Sequence, residues 1–107
     1  MGYENIIFQV DAGMATITFN RPKALNALNS ALLDEFSRAL DEVAADENIR
    51  VLVLTGAGDK AFVAGADINE LAACNPLTAK IFAAKGHGII GKLQEMPIAV
   101  IAAVNGF

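Results

Sequence analysis

The sequence predicts an α/β fold with a mostly parallel sheet, and three features of its 107 residues support this class. Short segments rich in β-branched and aromatic residues alternate with longer segments of helical periodicity. Residues 51–55 form a continuous apolar run, which is typical of a strand buried on both faces of a parallel sheet. The predicted order of elements is strand, strand, helix, strand, two helices, strand, and such alternation is typical of α/β proteins.

The N-terminal segments predict a β-hairpin. Residues 6–10 and 14–19 are rich in apolar and β-branched side chains, and a turn that contains glycine separates them. Pro22 ends the hairpin, because proline lacks the N–H donor that a central strand requires. An irregular loop is expected over residues 23–29, before the first helical pattern begins.

Polar residues of the capping type mark the start of three helices. Ser30 is the predicted N-cap of the first helix, whose apolar side chains recur at helical spacing. Asp67 is the predicted N-cap of a short second helix, and Glu70 is expected to reach back to it as in a capping box. Asn75 is the predicted N-cap of a third helix, which Pro97 ends.

The chain is more apolar than a typical small domain. Hydrophobic residues make up 54% of the sequence, and its mean hydropathy is +0.43. Either the core is shared with a partner chain, or the sequence is part of a larger fold. Residues 98–104 predict another buried strand, and Asn105 and Gly106 then open a turn just before the last residue, Phe107. A turn signal with nothing after it favours the second interpretation, a truncated fold.

Charge and cysteine content exclude several classes of function. The net charge of −4 argues against a general nucleic-acid surface, which requires a basic footprint. Cys74 is the only cysteine, so no internal disulfide is possible, and zinc-site spacings are absent. The N-terminus lacks the basic and apolar regions of a signal peptide, and the longest apolar run, residues 98–104, is too short to span a bilayer. We therefore expect a cytoplasmic protein, or a matrix protein whose presequence has been removed, with no metal site and no membrane partner.

Small residues lead directly into the second predicted helix, in the order Ala64, Gly65, Ala66 and then Asp67. The first N–H groups of a helix lack internal partners and lie at the positive end of its dipole. Small side chains allow a ligand to approach this backbone closely, which suits a carbonyl oxygen that gains negative charge during a reaction. The alternative is an ordinary tight turn capped by Asp67.

Two further segments carry candidate phosphate contacts. Arg21 and Lys23 flank a proline in a loop beside the sheet, where two cations could meet phosphates, and a solvated turn is the alternative. Residues 56–61 fit a degenerate Gly-x-Gly-x-x-Ala dinucleotide-binding pattern after a strand. The context of that pattern is wrong, because residues 62–66 intervene before the next helix. We therefore interpret residues 56–61 as a connecting loop.

Three ordered motifs resemble the enoyl-CoA hydratase/isomerase (crotonase) family. Residues 20–28 resemble its first signature, residues 51–56 and 62–67 its second, and residues 101–107 the lead-in to its third. The resemblance implies that residues 1–107 are the N-terminal part of a crotonase-like domain. The implied fold is a spiral of ββα units, truncated before a glycine-rich turn and a C-terminal helical region. Members of the family usually assemble as trimers or dimers of trimers.

The resemblance also implies a reaction and its site. The implied activity is that of an enoyl-CoA hydratase, which adds water across an α,β-unsaturated thioester through an enolate. The Ala66 N–H would be one of two oxyanion donors to the thioester carbonyl, and coenzyme A belongs to the substrate, so no separate cofactor is implied. The residues implied to lie along coenzyme A are Arg21, Lys23, Ala24, Leu25, Ala64, Gly65, Asp67 and Ile68.

Other functions stay open at this point. The same N-terminal part also serves isomerases, dehalogenases and thioester hydrolases of the family. A second class of alternatives is a non-catalytic module that binds coenzyme A or assembles with a partner. The family's second oxyanion donor and the hydratase glutamates lie beyond the position of Phe107, so we expect the 107-residue chain to be inactive by itself.

Overall fold

The computed structural model describes residues 2–106 and has the mixed α/β architecture that the sequence predicts. Met1 and Phe107, the last residue of the third motif, lie outside the described residues. The elements follow one another in the predicted order, and their bounds are β1 (Ile6–Asp11), β2 (Met14–Phe19), α1 (Ser30–Ala45), β3 (Val51–Gly56), α2 (Ile68–Ala73), α3 (Pro76–Glu95) and β4 (Ala99–Ala102).

The four strands form one sheet in the order β1-β2-β3-β4. The predicted hairpin is confirmed, because β1 and β2 are antiparallel, and β2, β3 and β4 then run parallel to one another. Phe19 is paired with Gly56 at the end of β2 and β3, so the carboxyl ends of these strands meet at one edge of the sheet. The loops after β2, β3 and β4 therefore gather at that edge, which is where ligands bind in open α/β sheets.

Helix α1 covers one face of the sheet and forms the core with it. The predicted apolar stripe of α1 is confirmed: Leu32 and Leu40 are fully buried, together with Ile17 of β2 and Leu52 of β3. Phe36 meets Phe19 edge to face, with ring centroids 5.1 Å apart. Such fully buried side chains contribute strongly, since truncating one to alanine typically costs about 2–5 kcal/mol.

The expected double-sided burial of residues 51–55 is wrong. In β3 the side chains of Leu52 and Leu54 are buried, whereas Val51 and Val53 are only half-buried. The same alternation holds in β2, because within the described residues α1 packs on one face of the sheet only. A continuous apolar run therefore does not by itself predict what covers the second face.

The C-terminal elements are less buried than the sequence predicts. Strand β4 is shorter than the predicted segment 98–104, and all four of its residues are exposed because it is an edge strand that pairs only with β3. Asn75 caps α3 as predicted, through a capping box with Thr78. The helical spacing of the apolar residues in α3 predicts a buried face, but only Ile89 of this helix is buried. The apolar side chains of α3 that are more than half exposed are Leu77, Ile81 and Ile90.

Two expected helix caps differ from those in the structure. The N-cap of α1 is Asn29, whose side chain accepts a hydrogen bond from the Leu32 N–H at 2.9 Å, because Ser30 is already helical. Asp67 caps α2 as predicted. The Glu70 carboxylate does not close a capping box with Asp67; it accepts hydrogen bonds from the Ser30 N–H and hydroxyl, at 2.9–3.1 Å. Glu70 thus satisfies an N–H group at the start of α1 that lacks a partner inside that helix.

Candidate functional site

The segment that precedes α2 is held by a single parallel bridge between Leu28 and Ala66. The Leu28 N–H donates to the Gly65 carbonyl at 2.8 Å, and the Asp67 N–H donates to the Leu28 carbonyl at 2.7 Å. In this bridge the backbone groups of Ala66 point away from Leu28, because successive residues of an extended chain alternate in direction. Within residues 2–106, no hydrogen bond uses the Ala66 N–H, so it is available to a ligand.

The residues that precede Ala66 are small and exposed. Ala64 and Gly65 are exposed, and Ala66 is half-buried. Gly65 has φ +92°, a left-handed conformation in which a side chain would be strained, although a Cβ there would meet no neighbouring atom. The Ala64 N–H donates to the Leu25 carbonyl at 3.1 Å, which ties this segment to the loop after β2. Backbone geometry therefore explains the glycine better than lack of space does.

The guanidinium of Arg21 contacts both segments that the Leu28–Ala66 bridge joins. One terminal nitrogen, Nη2, lies 2.9 Å from Asp67 Oδ2, and the other, Nη1, donates to the carbonyl of Ala27. The hydrogen bond from Arg21 lowers the pKa of Asp67; burial opposes this shift, and the N–H groups of Glu70 and Asn69 add to it. The Asp67 carboxylate is therefore an ionised helix cap. Its hydrogen bonds are all to groups of the protein, namely Arg21 and the N–H groups of Asn69 and Glu70.

The other residues implied to lie along coenzyme A gather at the same edge of the sheet. Lys23 and Leu25 line a cavity of about 330 Å³ together with residues 57–61. Ala24 lines a neighbouring cavity of about 350 Å³ with residues 20–23. Ile68 follows the bridge and leaves 80% of its surface exposed. The loop expected over residues 23–29 includes a single 3-10 turn, at Pro22–Ala24.

Two asparagines, Asn26 and Asn105, fix the loop after β3 through their side chains. Asn26 is fully buried; its oxygen accepts from the Arg21 N–H at 2.9 Å, and its nitrogen donates to the carbonyls of Ala57 and Ala61. Asn105 donates to the same Ala61 carbonyl and pairs with the backbone of Gly56. A Cβ at Gly56 would lie 2.5 Å from the Ala61 oxygen, so only glycine fits there. Nothing in the sequence pattern distinguishes these asparagines from ordinary turn residues.

The described residues form neither a metal-binding group nor a membrane-spanning helix. Across residues 2–106, no three His, Cys, Asp or Glu side chains are grouped so as to hold a metal ion. None of the helices in that part of the chain combines the length and apolarity needed to cross a membrane. The segment that carries Ala66, together with the loops after β2 and β3, is therefore the candidate site.

Comparison with known proteins finds relatives of one family. The family model of enoyl-CoA hydratase/isomerase matches residues 9–107. The short-chain-enoyl-CoA hydratase of Clostridium acetobutylicum is 43% identical over 107 residues, which are 100% of this chain and 41% of that protein. The crotonyl-CoA hydratase of Syntrophomonas wolfei is 44% identical over the same shares of the two chains.

Solved structures confirm the crotonase-like α/β fold. The enoyl-CoA hydratase from Bacillus anthracis superposes with a TM-score of 0.93 at 36% identity, over 96% of this chain and 40% of that one. The chain thus spans about two fifths of the length of the relatives it matches. Because the family model covers nearly all of its residues, the chain belongs to the enoyl-CoA hydratase/isomerase family.

Proposed function

We propose that the protein carrying this chain is an enoyl-CoA hydratase, and that residues 1–107 bind the acyl-CoA thioester and polarise its carbonyl group. Membership of the family supports the substrate class, and the names of two relatives support hydration. The observation that carries the proposal is the Ala66 N–H, which within residues 2–106 has no partner and lies among exposed small residues.

The proposed reaction explains why a lone backbone donor matters. As the oxygen of water bonds to the β carbon, one of its O–H bonds breaks, and that proton goes to a general base that this proposal does not assign to residues 1–107. The double bond shifts to lie between the α carbon and the carbonyl carbon, and the carbonyl π electrons move onto the thioester oxygen. The resulting enolate then takes up a proton at the α carbon, and the carbonyl re-forms. Negative charge on the thioester oxygen is larger in the transition state and in the enolate than in the substrate, so an N–H aimed at it stabilises the transition state more than the substrate. Loss of one such donor typically costs on the order of 3 kcal/mol of transition-state stabilisation.

The carboxylates nearest Ala66 receive no proton-transfer role in this proposal. Asp67 is paired with Arg21 and caps α2, and Glu70 is bonded to Ser30. A general acid or base must reach the proton that it transfers, and both groups are held by other partners. The proposal therefore limits residues 1–107 to binding and polarising the substrate.

The substrate's coenzyme A portion is proposed to follow the edge of the sheet past Lys23, Leu25 and Ile68. Lys23 and Lys60 border the cavity of about 330 Å³, where ammonium groups can meet phosphate oxygens. We further propose, as family resemblance implies, a homotrimer or dimer of trimers in the cytoplasm. No cofactor besides the coenzyme A of the substrate is part of the proposal.

The test replaces the Ala66 N–H by an oxygen atom, a change that also makes the Gly65 carbonyl a weaker acceptor for the Leu28 N–H. Semisynthesis of the full-length protein with lactic acid in place of Ala66 converts one amide to an ester and leaves the side chain unchanged. We expect kcat for hydration of crotonyl-CoA to fall about 10²–10³-fold with little change in KM, because the donor acts mainly in the transition state.

A matched ester at Ala79 controls for the chemistry. The Ala79 N–H donates to the Asn75 carbonyl at 2.9 Å on α3, away from the site, so that ester loses one ordinary hydrogen bond. We expect it to lower stability by about 1 kcal/mol and to leave kcat unchanged. Equal activity of the Ala66 ester and the unmodified enzyme would contradict the assigned role of Ala66. Absence of hydration in the unmodified full-length protein would contradict the proposed activity itself.

A further inference from the structure

The guanidinium of Arg21 lies between the two segments that the Leu28–Ala66 bridge joins. Its Nη1 donates to the carbonyl of Ala27, the residue before Leu28. Its Nη2 lies 2.9 Å from Asp67 Oδ2, on the residue after Ala66. One rigid, planar group is therefore bonded to a neighbour of each bridged residue, on both sides of the bridge.

Arg21 is itself held in place. Its backbone N–H donates to the buried side chain of Asn26 at 2.9 Å, and its carbonyl accepts from the N–H groups of Ala24 and Asn26. The side chains of Arg21 and Asp67 are only 19% and 11% exposed, so water and salt screen this pair less than an ion pair on the surface. The backbone of Arg21 is thus fixed, and its guanidinium bonds to Ala27 and Asp67, which adjoin the two bridged residues.

We propose that Arg21 is a positioning residue, whose guanidinium holds the Ala27–Leu28 and Ala66–Asp67 segments together and so directs the Ala66 N–H at the thioester carbonyl. This inference rests on the proposed function. It gives Arg21 a different role from the coenzyme A contact that family resemblance implies. The direction of the Ala66 N–H is set by the peptide plane between Gly65 and Ala66, and the bridge with its flanking bonds fixes that plane.

Lysine cannot replace arginine in this arrangement. The guanidinium presents several N–H groups in a fixed planar fork, whereas the lysine ammonium is a single point charge on a flexible chain. A lysine at position 21 keeps the positive charge that a phosphate would need but loses the simultaneous contact with Ala27 and Asp67. The two roles of Arg21 therefore predict opposite behaviour for the same substitution.

The experiment compares Arg21→Lys, Arg21→Met and Asp67→Asn in the full-length protein. Asparagine at position 67 still accepts the N–H groups of Asn69 and Glu70 and remains a good N-cap, so this change removes the ion pair without removing the cap. Two quantities are measured: kcat and KM for crotonyl-CoA hydration, and the infrared stretching frequency of a ¹³C-labelled thioester carbonyl in a bound, slowly reacting enoyl-CoA.

We expect all three variants to lose about 10²-fold in kcat, because misplacing a catalytic group by about 1 Å costs this much. KM should change little. Binding lowers the carbonyl stretching frequency by an amount that depends on how well the donor points at the carbonyl oxygen, so this decrease should be smaller in each variant. A role in stability alone would leave the carbonyl frequency of the folded, bound enzyme unchanged. Lys85→Met is the matched control, because it removes an exposed 2.8 Å ion pair with Asp34 away from the site, and it should retain both quantities.

Full kcat and a full carbonyl shift in Arg21→Lys, with a salt-dependent rise of KM in Arg21→Met, would overturn the proposal and identify Arg21 as a phosphate contact. A normal carbonyl shift in Asp67→Asn would overturn it as well. Failure of the proposed function looks different: the unmodified protein would then neither hydrate crotonyl-CoA nor shift the carbonyl frequency, and the role of Arg21 would fall with it.

Discussion

At the scale of single residues, Asn26 connects the loops that build the site. Its carboxamide satisfies the Arg21 N–H and the carbonyls of Ala57 and Ala61, although its backbone has φ +57°. A buried polar group left without a partner costs about 1–3 kcal/mol, so each of these bonds matters to the loop. The positive φ is one that asparagine tolerates better than most residues do.

We expect Asn26→Asp to destabilise the full-length protein by about 3 kcal/mol, because a carboxylate cannot donate to the two carbonyls that it would face. Aspartate has nearly the same size and the same tolerance of positive φ, so the change isolates the hydrogen bonds. Urea unfolding at pH 7 measures the loss, and Asn69→Asp, at an exposed position, is the matched control. A loss equal to that of the control would mean that Asn26 does not hold the loop.

The sequence predicted the helix cap at Asp67 but gave no sign of the role of Asn26, and the reason is physical. Small residues before a capping aspartate form a local pattern, and Asp67 caps α2 through the N–H groups of the next turn. The partners of Asn26 at Ala57 and Ala61 are more than 30 residues away in sequence, so its burial depends on tertiary structure. A lone asparagine in a polar loop is otherwise indistinguishable from a solvated turn residue.

At the scale of elements, α1 was predicted from its periodicity, but the role of its Glu35 was missed. Acidic residues on a helix face are usually solvated, but Glu35 is buried. Its carboxylate accepts hydrogen bonds from the N–H of Glu4 at 2.8 Å, and from the N–H and the side chain of Asn5 at 2.8 and 2.6 Å. Helix α1 thereby holds the chain as it enters β1, a contact that no helical pattern reveals.

The stabilisation from Glu35 is expected to depend on pH. Burial by itself raises the pKa of Glu35, but the hydrogen bonds from Asn5 and Glu4 and the charge of Arg38 together lower it below its usual value. The carboxylate therefore stabilises the fold fully above the unfolded pKa of about 4.3, and this contribution is lost as the pH falls through the lower folded pKa.

Glu35→Gln removes this titration. We expect it to cost about 2 kcal/mol at pH 7, since hydrogen bonds to a charged acceptor are lost, and the difference from the unmodified protein should shrink below pH 4. Urea unfolding midpoints between pH 7 and pH 3 measure it, with the exposed Glu47→Gln as control. A difference that stays constant over this range would show that the ionised form of Glu35 contributes nothing.

At the scale of the whole molecule, the apolar content of 54% is only partly used by the core of the described residues. The fold class and the order of elements along the chain followed from periodicity and turn signals. The sequence could not predict what covers three surfaces: the face of the sheet opposite α1, the exposed side chains of β4, and the outer side of α3. Residues 2–106 do not cover these surfaces, so their sequence pattern carries no information on the contact. The exposed side chains include Ile101, at 51%, and Val104, at 65%.

We expect residues 1–107, produced as a separate chain, to self-associate through β4. An edge strand with exposed apolar side chains and unpaired backbone groups is a template for pairing with another chain, and a lysine on such an edge opposes it. Ile101→Lys should therefore lower the weight-average mass in sedimentation velocity at concentrations where the unmodified chain associates. Leu77→Lys makes a comparable substitution at a 67% exposed position on α3, away from the sheet edge, and should lower the mass less. Equal effects of the two variants would indicate general apolar association and would contradict a role of β4. A larger effect of Ile101→Lys would identify β4 as the surface through which the separate chain associates.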